Sequence, residues 1–190
     1  MKHIATMALM LHLAITHVYA QPFPIKMAFS GTAEASAINL QQPDTSTGEE
    51  NVTGGGTLGP FTFQNVTATA TSPSSQPPPD CSGSTLLFFP RVTGAGIARF
   101  RDGSLLNVKL TDGGDCIDLV ANEGHCTLTF QITGGTGRFK DASGILTYTE
   151  TALPVLSDYF GNPVFFDETG ELTGMVSGVD REKNRQEERH

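Results

Sequence analysis

The chain has 190 residues, with 12 Lys and Arg against 20 Asp and Glu, and a formal net charge of −8 at pH 7. A surface of that sign repels nucleic acid and anionic lipid, so neither is expected as a partner. The length allows one domain of ordinary size with its own buried core.

The first 20 residues, MKHIATMALMLHLAITHVYA, are typical of a secretory signal peptide. A basic residue precedes a short apolar run, and the small residue Ala20 fits a cleavage site. A membrane anchor is the alternative, but His12 and His17 interrupt the run, and a span needs about 20 mostly apolar residues. We therefore predict cleavage before Gln21, a secreted or periplasmic protein, and no membrane span in the rest of the chain.

Most of the sequence from residue 21 to 179 alternates apolar and polar residues, with interruptions by Gly, Asp or Asn. This pattern is typical of antiparallel β-strands. The clearest runs have apolar residues at Ile25, Met27 and Phe29, at Leu106, Val108 and Leu110, and at Leu128, Phe130 and Ile132. Because no run has a helical period, the sheet must close on itself or pack on a second sheet. The predicted fold is one all-β domain, a calycin-like antiparallel closed β-barrel of about eight strands, with a β-sandwich as the alternative.

Three stretches lack this alternation. Residues 41–56 and 71–83 are polar and rich in Pro, Ser or Gly, so we expect surface loops there. Residues 180–190, DREKNRQEERH, alternate in charge without an apolar anchor and are expected to form a disordered tail.

Local irregularities are also predicted within the strands. Phe61 and Phe63 lie on one phase and the following Val and Ala residues on the other, which indicates a β-bulge near Gln64. The pair Asp102-Gly103 and the run TDGGD at 111–115 each predict a tight hairpin turn.

Three cysteines lie in a chain that is predicted to be exported, and disulfides persist in exported proteins. Cys116 and Cys126 flank IDLVANEGH, a predicted hairpin whose ends would bring the two sulfurs together. We predict a Cys116–Cys126 disulfide with Cys81 left over, while a bond from Cys81 to either partner stays open. Two NVT sequons, at Asn51 and Asn65, matter only in a host that glycosylates exported proteins.

The sequence offers few catalytic groups. A histidine mechanism would have to use His125, and no G-x-S-x-G elbow accompanies it. His125, Cys126 and Cys116 lack the spacing of a zinc site. Four carboxyl groups near predicted strand ends, where side chains are usually solvated, are possible acids or bases: Glu150, Asp158, Asp167 and Glu168. Catalytic residues are therefore unknown, and no cofactor or metal is expected.

The run TGGTGRFKDASG at 133–144 has the glycines of a phosphate-binding loop but neither of its motifs. The lysine is misplaced for a Walker loop, and ILTYTE follows as a strand instead of a helix. We predict a structural turn formed by Gly134, Gly135, Gly137, Arg138 and Phe139. Gly135 and Gly137 are expected to take positive φ, and Arg138 to bond carbonyls or a carboxylate such as Asp141.

The same run, ITGGTGRFKDASG, resembles the glycine-rich turn of the allene oxide cyclase and dirigent-like barrels, and is closest to small secreted bacterial proteins that keep this turn. The FRDGSLL hairpin and the GDCIDL strand fit the same fold. The resemblance spans residues 23–179 in architecture, but its specific motif is confined to residues 130–146. It implies a barrel that holds an apolar small molecule and, in some members, steers a cyclisation or radical coupling by shape. No catalytic residue is carried over from it.

Two functions follow from these observations. The first is a secreted, non-catalytic barrel that binds an apolar small molecule or acts as a stable extracytoplasmic module. The alternative is an allene oxide cyclase-like cyclase or isomerase, so whether the protein is an enzyme is left open. An interior cavity of about 300 Å³ or more with buried carboxylates would favour the enzyme. The side chains that can fill the barrel instead are Phe61, Phe63, Phe88, Phe89, Phe100, Phe130, Phe139, Phe165 and Phe166. Ligand identity and oligomeric state are not predicted.

Overall fold

The computed structural model describes residues 21–180 and is a closed barrel of eight antiparallel strands. The strands are β1 (Phe23–Ala35), β2 (Thr45–Gly56), β3 (Phe61–Ala70), β4 (Leu86–Phe100), β5 (Leu105–Asp118), β6 (Glu123–Gly135), β7 (Ser143–Ser157) and β8 (Pro163–Ser177). Each strand pairs with the next, and β8 pairs with β1. The predicted barrel is therefore confirmed over the sandwich. The predicted signal peptide at 1–20 and the predicted tail beyond residue 180 lie outside the described residues.

Helical structure is confined, within residues 21–180, to single 3₁₀ turns at Pro79–Cys81 and Gly137–Phe139. No helix in this part of the chain has the length and apolar character needed to cross a membrane.

The two ends of the barrel differ. The odd-numbered strands run toward an end, here called the open end, that carries the connections at 36–44, 71–85, 119–122 and 158–162. The opposite end, the closed end, carries the connections at 57–60, 101–104 and 136–142. Both ends of the described chain also lie there, because Phe23 at the start of β1 pairs with Val176 near the end of β8.

Inward-facing apolar side chains fill the closed half of the interior. The predicted alternation is confirmed there, since Met27, Leu106 and Leu128 are almost fully buried. Phe63, Phe130 and Tyr148 pack together with ring centroids 6.0 to 6.3 Å apart. This packing leaves no room for a ligand in the closed half.

The phenylalanines expected to fill the barrel divide between its two halves. Five are buried in the core: Phe61, Phe63, Phe100, Phe130 and Phe139. Phe89 and Phe166 instead line a cavity in the open half, and Phe88 lines a groove beside the disulfide. Phe165 is half-buried on β8 and does not line that cavity.

The connection between β6 and β7 seals the closed end with a buried arginine. Arg138 is 3% exposed, donates from Nη2 to the Leu58 carbonyl at 2.6 Å, and places Nε 3.2 Å from Asp102 Oδ2. Its guanidinium lies over the rings of Phe100 and Phe139, at 4.8 and 4.6 Å from their centroids. The carboxylate partner is therefore Asp102, where Asp141 was predicted.

The glycines of this connection serve two purposes. Gly134 and Gly137 have positive φ, at 111° and 59°. Gly135 does not, contrary to the prediction, but a Cβ there would collide with the carbonyl oxygen of Leu105 on the paired strand. Gly135 thus permits close backbone approach instead of a left-handed turn.

The turn predicted at Asp102-Gly103 and the loop predicted at 71–83 are confirmed. The interruptions of the sheet that were predicted at 45–56 and at 111–115 are wrong. Residues 45–56 form strand β2, which is stabilised by pairing with strands on both sides although it lacks an apolar run. The run TDGGD at 111–115 lies inside the continuous strand β5, with a register shift between Leu110 and Asp112. It forms a β-bulge and not a turn.

The predicted bulge at Gln64 is also wrong. Strand β3 keeps one phase from Phe61 to Thr67, and its register with β4 shifts only between Ala68 and Thr69. Asn65 therefore faces the interior, where it is 2% exposed. The prediction failed because it required apolar residues alone to face inward.

The disulfide joins Cys81 to Cys116 and not Cys116 to Cys126 as predicted. Across the β5–β6 hairpin, Cys116 pairs with His125 and Cys126 pairs with Asp115. The two cysteines are offset by one residue, so they point to opposite faces of the sheet. Cys126 remains a free, buried thiol. The bond ties the 71–85 loop to β5 and is of a kind that persists in oxidising compartments.

Candidate functional site

The open half of the barrel contains a cavity of about 860 Å³. Its walls are mostly apolar and include Phe89, Ala33, Ala70, Ile117, Ala152 and Phe166. Charged side chains and one thiol line its inner part, next to the packed core: Arg91, Asp115, Cys126, Glu150 and Glu168. We call these five residues and Glu50 the cavity floor. The volume lies within the range of about 300 to 1,000 Å³ that is usual for small-molecule sites.

Two of the four carboxyl groups considered from the sequence belong to this floor. Glu150 and Glu168 are 6% and 1% exposed, whereas Asp158 and Asp167 are exposed. Glu150 lies inside because it continues the inward phase of Leu146 and Tyr148 along β7. The expectation that charged residues near strand ends are solvated is therefore wrong for Glu150 and Glu168.

Arg91 is the centre of an ion-pair network in the floor. Its Nη2 and Nε donate to Asp115 at 2.8 and 3.1 Å, and its Nη1 donates to Glu50 and to Thr67 Oγ1. Asn65 Nδ2 donates to the other oxygen of Glu50 at 2.5 Å. Burial opposes the charge of Arg91, but the carboxylates of Asp115 and Glu50 outweigh it and raise the pKa of Arg91 above its usual value.

Glu150 and Glu168 form a second group beside this network. Tyr148 donates its hydroxyl to Glu150 Oε2 at 2.6 Å, whereas Glu150 Oε1 and Glu168 Oε2 have no donor other than the carboxyl group of each other's residue. Burial, with the nearby charge of Glu50, raises the pKa of Glu150 to about 8. Burial, with the charge of Glu150, raises the pKa of Glu168 to about 10. Both groups therefore hold a proton at neutral pH and can donate it.

Three of the floor's carboxyl groups lie close enough to surround a metal ion, with one oxygen each of Glu50, Glu150 and Glu168 within 4.8 Å of one another. Both oxygens of Glu50 are already engaged, by Arg91 and by Asn65. A guanidinium in direct contact would also repel a divalent cation. The arrangement is better suited to holding protons than to holding a metal.

The other residues that were considered from the sequence either lie outside the cavity or have a role that was not predicted. His125 is exposed on the outer face, 3.1 Å from Glu123. Cys126 lies in the floor, where burial raises the pKa of its thiol. The buried side chain of Asn65 is inaccessible to a glycosyltransferase in the folded protein, so only the Asn51 sequon is presented.

Sequence reasoning missed three members of the site: Glu50, Arg91 and Asp115. Glu50 lies in the segment that was predicted as a loop. Asp115 follows a register shift in β5, and Arg91 precedes one in β4; each shift reverses which side chains face inward. Cys126, Tyr148, Glu150 and Glu168 could have been found by extending the period of two.

Comparison of the sequence with protein-family models and with curated proteins gave no match. The function is therefore argued from the cavity and its residues.

Proposed function

We propose that the protein binds a small, largely apolar molecule in the open half of its barrel. The observation that carries this proposal is the cavity of about 860 Å³, with apolar walls above a charged floor. A disulfide-tethered barrel of this kind suits the proposed role of an extracytoplasmic binding module.

The cost of the charged floor supports the same proposal. Burying an ion costs several kcal/mol that an ion pair only partly offsets. The closed half of the same barrel is filled by Phe, Leu and Tyr side chains, so the fold itself does not require charge in its interior. Polar groups that converge below apolar walls are the usual composition of a ligand site.

The resemblance of residues 130–146 to the allene oxide cyclase and dirigent-like barrels points in the same direction, because those proteins hold apolar molecules inside the barrel. Membership of that superfamily is part of the proposal.

A second function, an acid-catalysed isomerisation or cyclisation, is favoured by the protonated pair Glu150 and Glu168. Either carboxyl group would donate its proton to an electronegative atom of a bound neutral substrate, and the same carboxylate would take a proton back from the product. The apolar walls would hold the chain in a reactive shape. Such an isomerisation needs no further reactant.

The binding proposal can be tested with the neutral apolar fluorophore N-phenyl-1-naphthylamine. We expect saturable binding of one molecule per chain, weakened by about tenfold or more in Ala152→Trp, which fills the cavity. Thr149→Trp is the matched control, since Thr149 lies on the same strand but is exposed on the outer face. The proposal is wrong if the fluorophore does not bind saturably, or if the two variants bind it equally well.

A further inference from the structure

We infer that the ligand of the open cavity is an organic cation, an apolar body whose protonated amine contacts Glu150 and Glu168. This inference rests on the proposed binding function and adds the chemical class of the ligand. Its evidence is the charge imbalance of the floor, the two oxygens without a donor outside the pair of carboxyl groups, and the distribution of charge over the whole barrel.

The floor contains more acidic groups than its arginine can satisfy. Four carboxyl groups, those of Glu50, Asp115, Glu150 and Glu168, lie near the single guanidinium of Arg91. The donors of Arg91 are taken by Asp115, Glu50 and a threonine. Its closest approach to Glu150 is 3.7 Å, which is beyond hydrogen-bond distance.

The unsatisfied acceptors lie where a ligand would enter. Glu150 Oε1 and Glu168 Oε2 are buried, have no donor outside the pair of carboxyl groups, and belong to residues that line the cavity. An unpaired buried carboxylate is costly, so a proton or another cation must compensate it. An ammonium group donates up to three hydrogen bonds and carries a positive charge that would pair with Glu168 and add to the distant pairing of Glu150 with Arg91.

The exposed charges of the barrel favour the same sign of ligand. In residues 21–180, all Lys and Arg apart from Arg91 lie in the closed half, at Lys26, Arg99, Arg101, Lys109, Arg138 and Lys140. Acidic residues surround the open end, at Glu34, Asp44, Glu49, Asp80, Asp118, Glu123, Asp158 and Asp167. The mouth of the cavity therefore attracts cations and repels anions.

The walls distinguish an organic cation from a metal ion. Phe89 and Phe166 present aromatic surface, and Ile117 and several alanines complete the apolar lining. Aromatic faces attract organic cations, and apolar walls bury a hydrocarbon body. A bare metal ion would use neither.

Binding has a defined proton balance. At neutral pH the pair Glu150 and Glu168 holds protons, so an entering ammonium displaces one proton to solvent and forms N–H···O contacts with the carboxylate left behind. Affinity for the amine should rise with pH through the pKa of about 8 of Glu150, until the amine itself loses its proton. The other ionisable groups that face the pair are Arg91, Asp115, Glu50, Tyr148 and Cys126.

The test uses three compounds with one skeleton: 2-naphthylmethylamine, 2-naphthylmethanol and 2-naphthylacetate. We expect the amine to bind about tenfold more tightly than the alcohol, or better, because hydrogen bonds to charged groups are stronger than neutral ones. The anion should bind most weakly. Calorimetry in two buffers of different ionisation heat should show proton release with the amine alone. Glu150→Gln should reduce the preference for amine over alcohol to about threefold or less, because Glu150 is the group that loses its proton to the solvent. Glu171→Gln, an exposed carboxyl on the neighbouring strand, should retain the preference.

The outcomes separate this inference from the proposal beneath it. If the alcohol or the acid binds as tightly as the amine, and Ala152→Trp abolishes that binding, the inference is wrong and the binding function stands. A preference for the amine that survives in Glu150→Gln also overturns the inference. If none of the three compounds binds in a manner sensitive to Ala152→Trp, the binding function itself is wrong.

Discussion

Replacing Glu168 by glutamine should stabilise the barrel, and increasingly so as the pH rises. The pKa of Glu168 is about 10 in the folded chain, against an ordinary value of 4.5. The folded chain therefore binds this proton more tightly than the unfolded chain does. The contribution to stability is complete below pH 4.5 and is lost progressively as the pH rises toward 10. Glutamine is neutral at every pH, so the variant does not lose this stability between pH 4.5 and pH 10.

The size of the effect follows from the same linkage. Each pH unit in the window costs the wild-type chain about 1.4 kcal/mol for one proton. Between pH 5 and pH 8 the advantage of Glu168→Gln over wild type should thus grow by about 3 to 4 kcal/mol. This is a large fraction of the stability of an ordinary domain, about 5 to 15 kcal/mol.

Urea unfolding at pH 5, 6, 7 and 8 measures this difference directly. The control is Glu171→Gln on the same strand, because Glu171 is exposed and pairs only with exposed Lys26. A surface pair of that kind contributes about 0 to 1 kcal/mol, with no comparable pH dependence. A constant difference between Glu168→Gln and wild type across the four pH values would show that Glu168 is ionised in the folded chain, and would refute the reasoning.

Three further changes test the parts of the structure that hold the site in place. Cys81→Ser should lower the free energy of unfolding by about 4 kcal/mol in urea titrations, because the disulfide closes a separation of 35 residues, whereas Cys126→Ser breaks no cross-link. Arg138→Leu should cost about 3 kcal/mol, because it removes the ion-pair partner of Asp102 and the donor to the Leu58 carbonyl at the closed end, and a cost near zero would contradict the role assigned to this arginine. Gly137→Ala should cost about 1 to 3 kcal/mol in the same titration and clearly more than Gly103→Ala, because both have positive φ but only Gly137 lacks space for a Cβ.

The barrel could be predicted from the sequence because its core follows a simple rule. Met27, Leu106 and Leu128 belong to uninterrupted alternating runs, and such runs without helices leave few ways to bury a sheet. The period of two also extends to Glu150, which follows Leu146 and Tyr148 on the inward face. The alternation therefore indicated an inward-facing Glu150, but the expectation that charged side chains are solvated was given more weight.

The rest of the site depends on features that a periodic pattern does not contain. A β-bulge reverses which side chains face inward on its two sides. Asp115, after the shift in β5, and Arg91, before the shift in β4, therefore face inward out of step with the alternating runs on the other side. The same bulge in β5 separates Cys116 from Cys126. Glu50 lies on β2, which is held in a strand conformation by pairing with β1 and β3 and not by its own composition. These contacts join distant segments, so local sequence does not encode them.

The position of the two chain ends has a practical consequence for any experiment on the ligand. Because Phe23 pairs with Val176, the described chain starts and finishes on the side of the barrel opposite the cavity mouth. A support, label or fused partner attached through either end would therefore leave the entrance facing solution. An immobilised chain should bind its ligand as rapidly as the free protein, whereas attachment through the 158–162 connection would place the support beside the entrance.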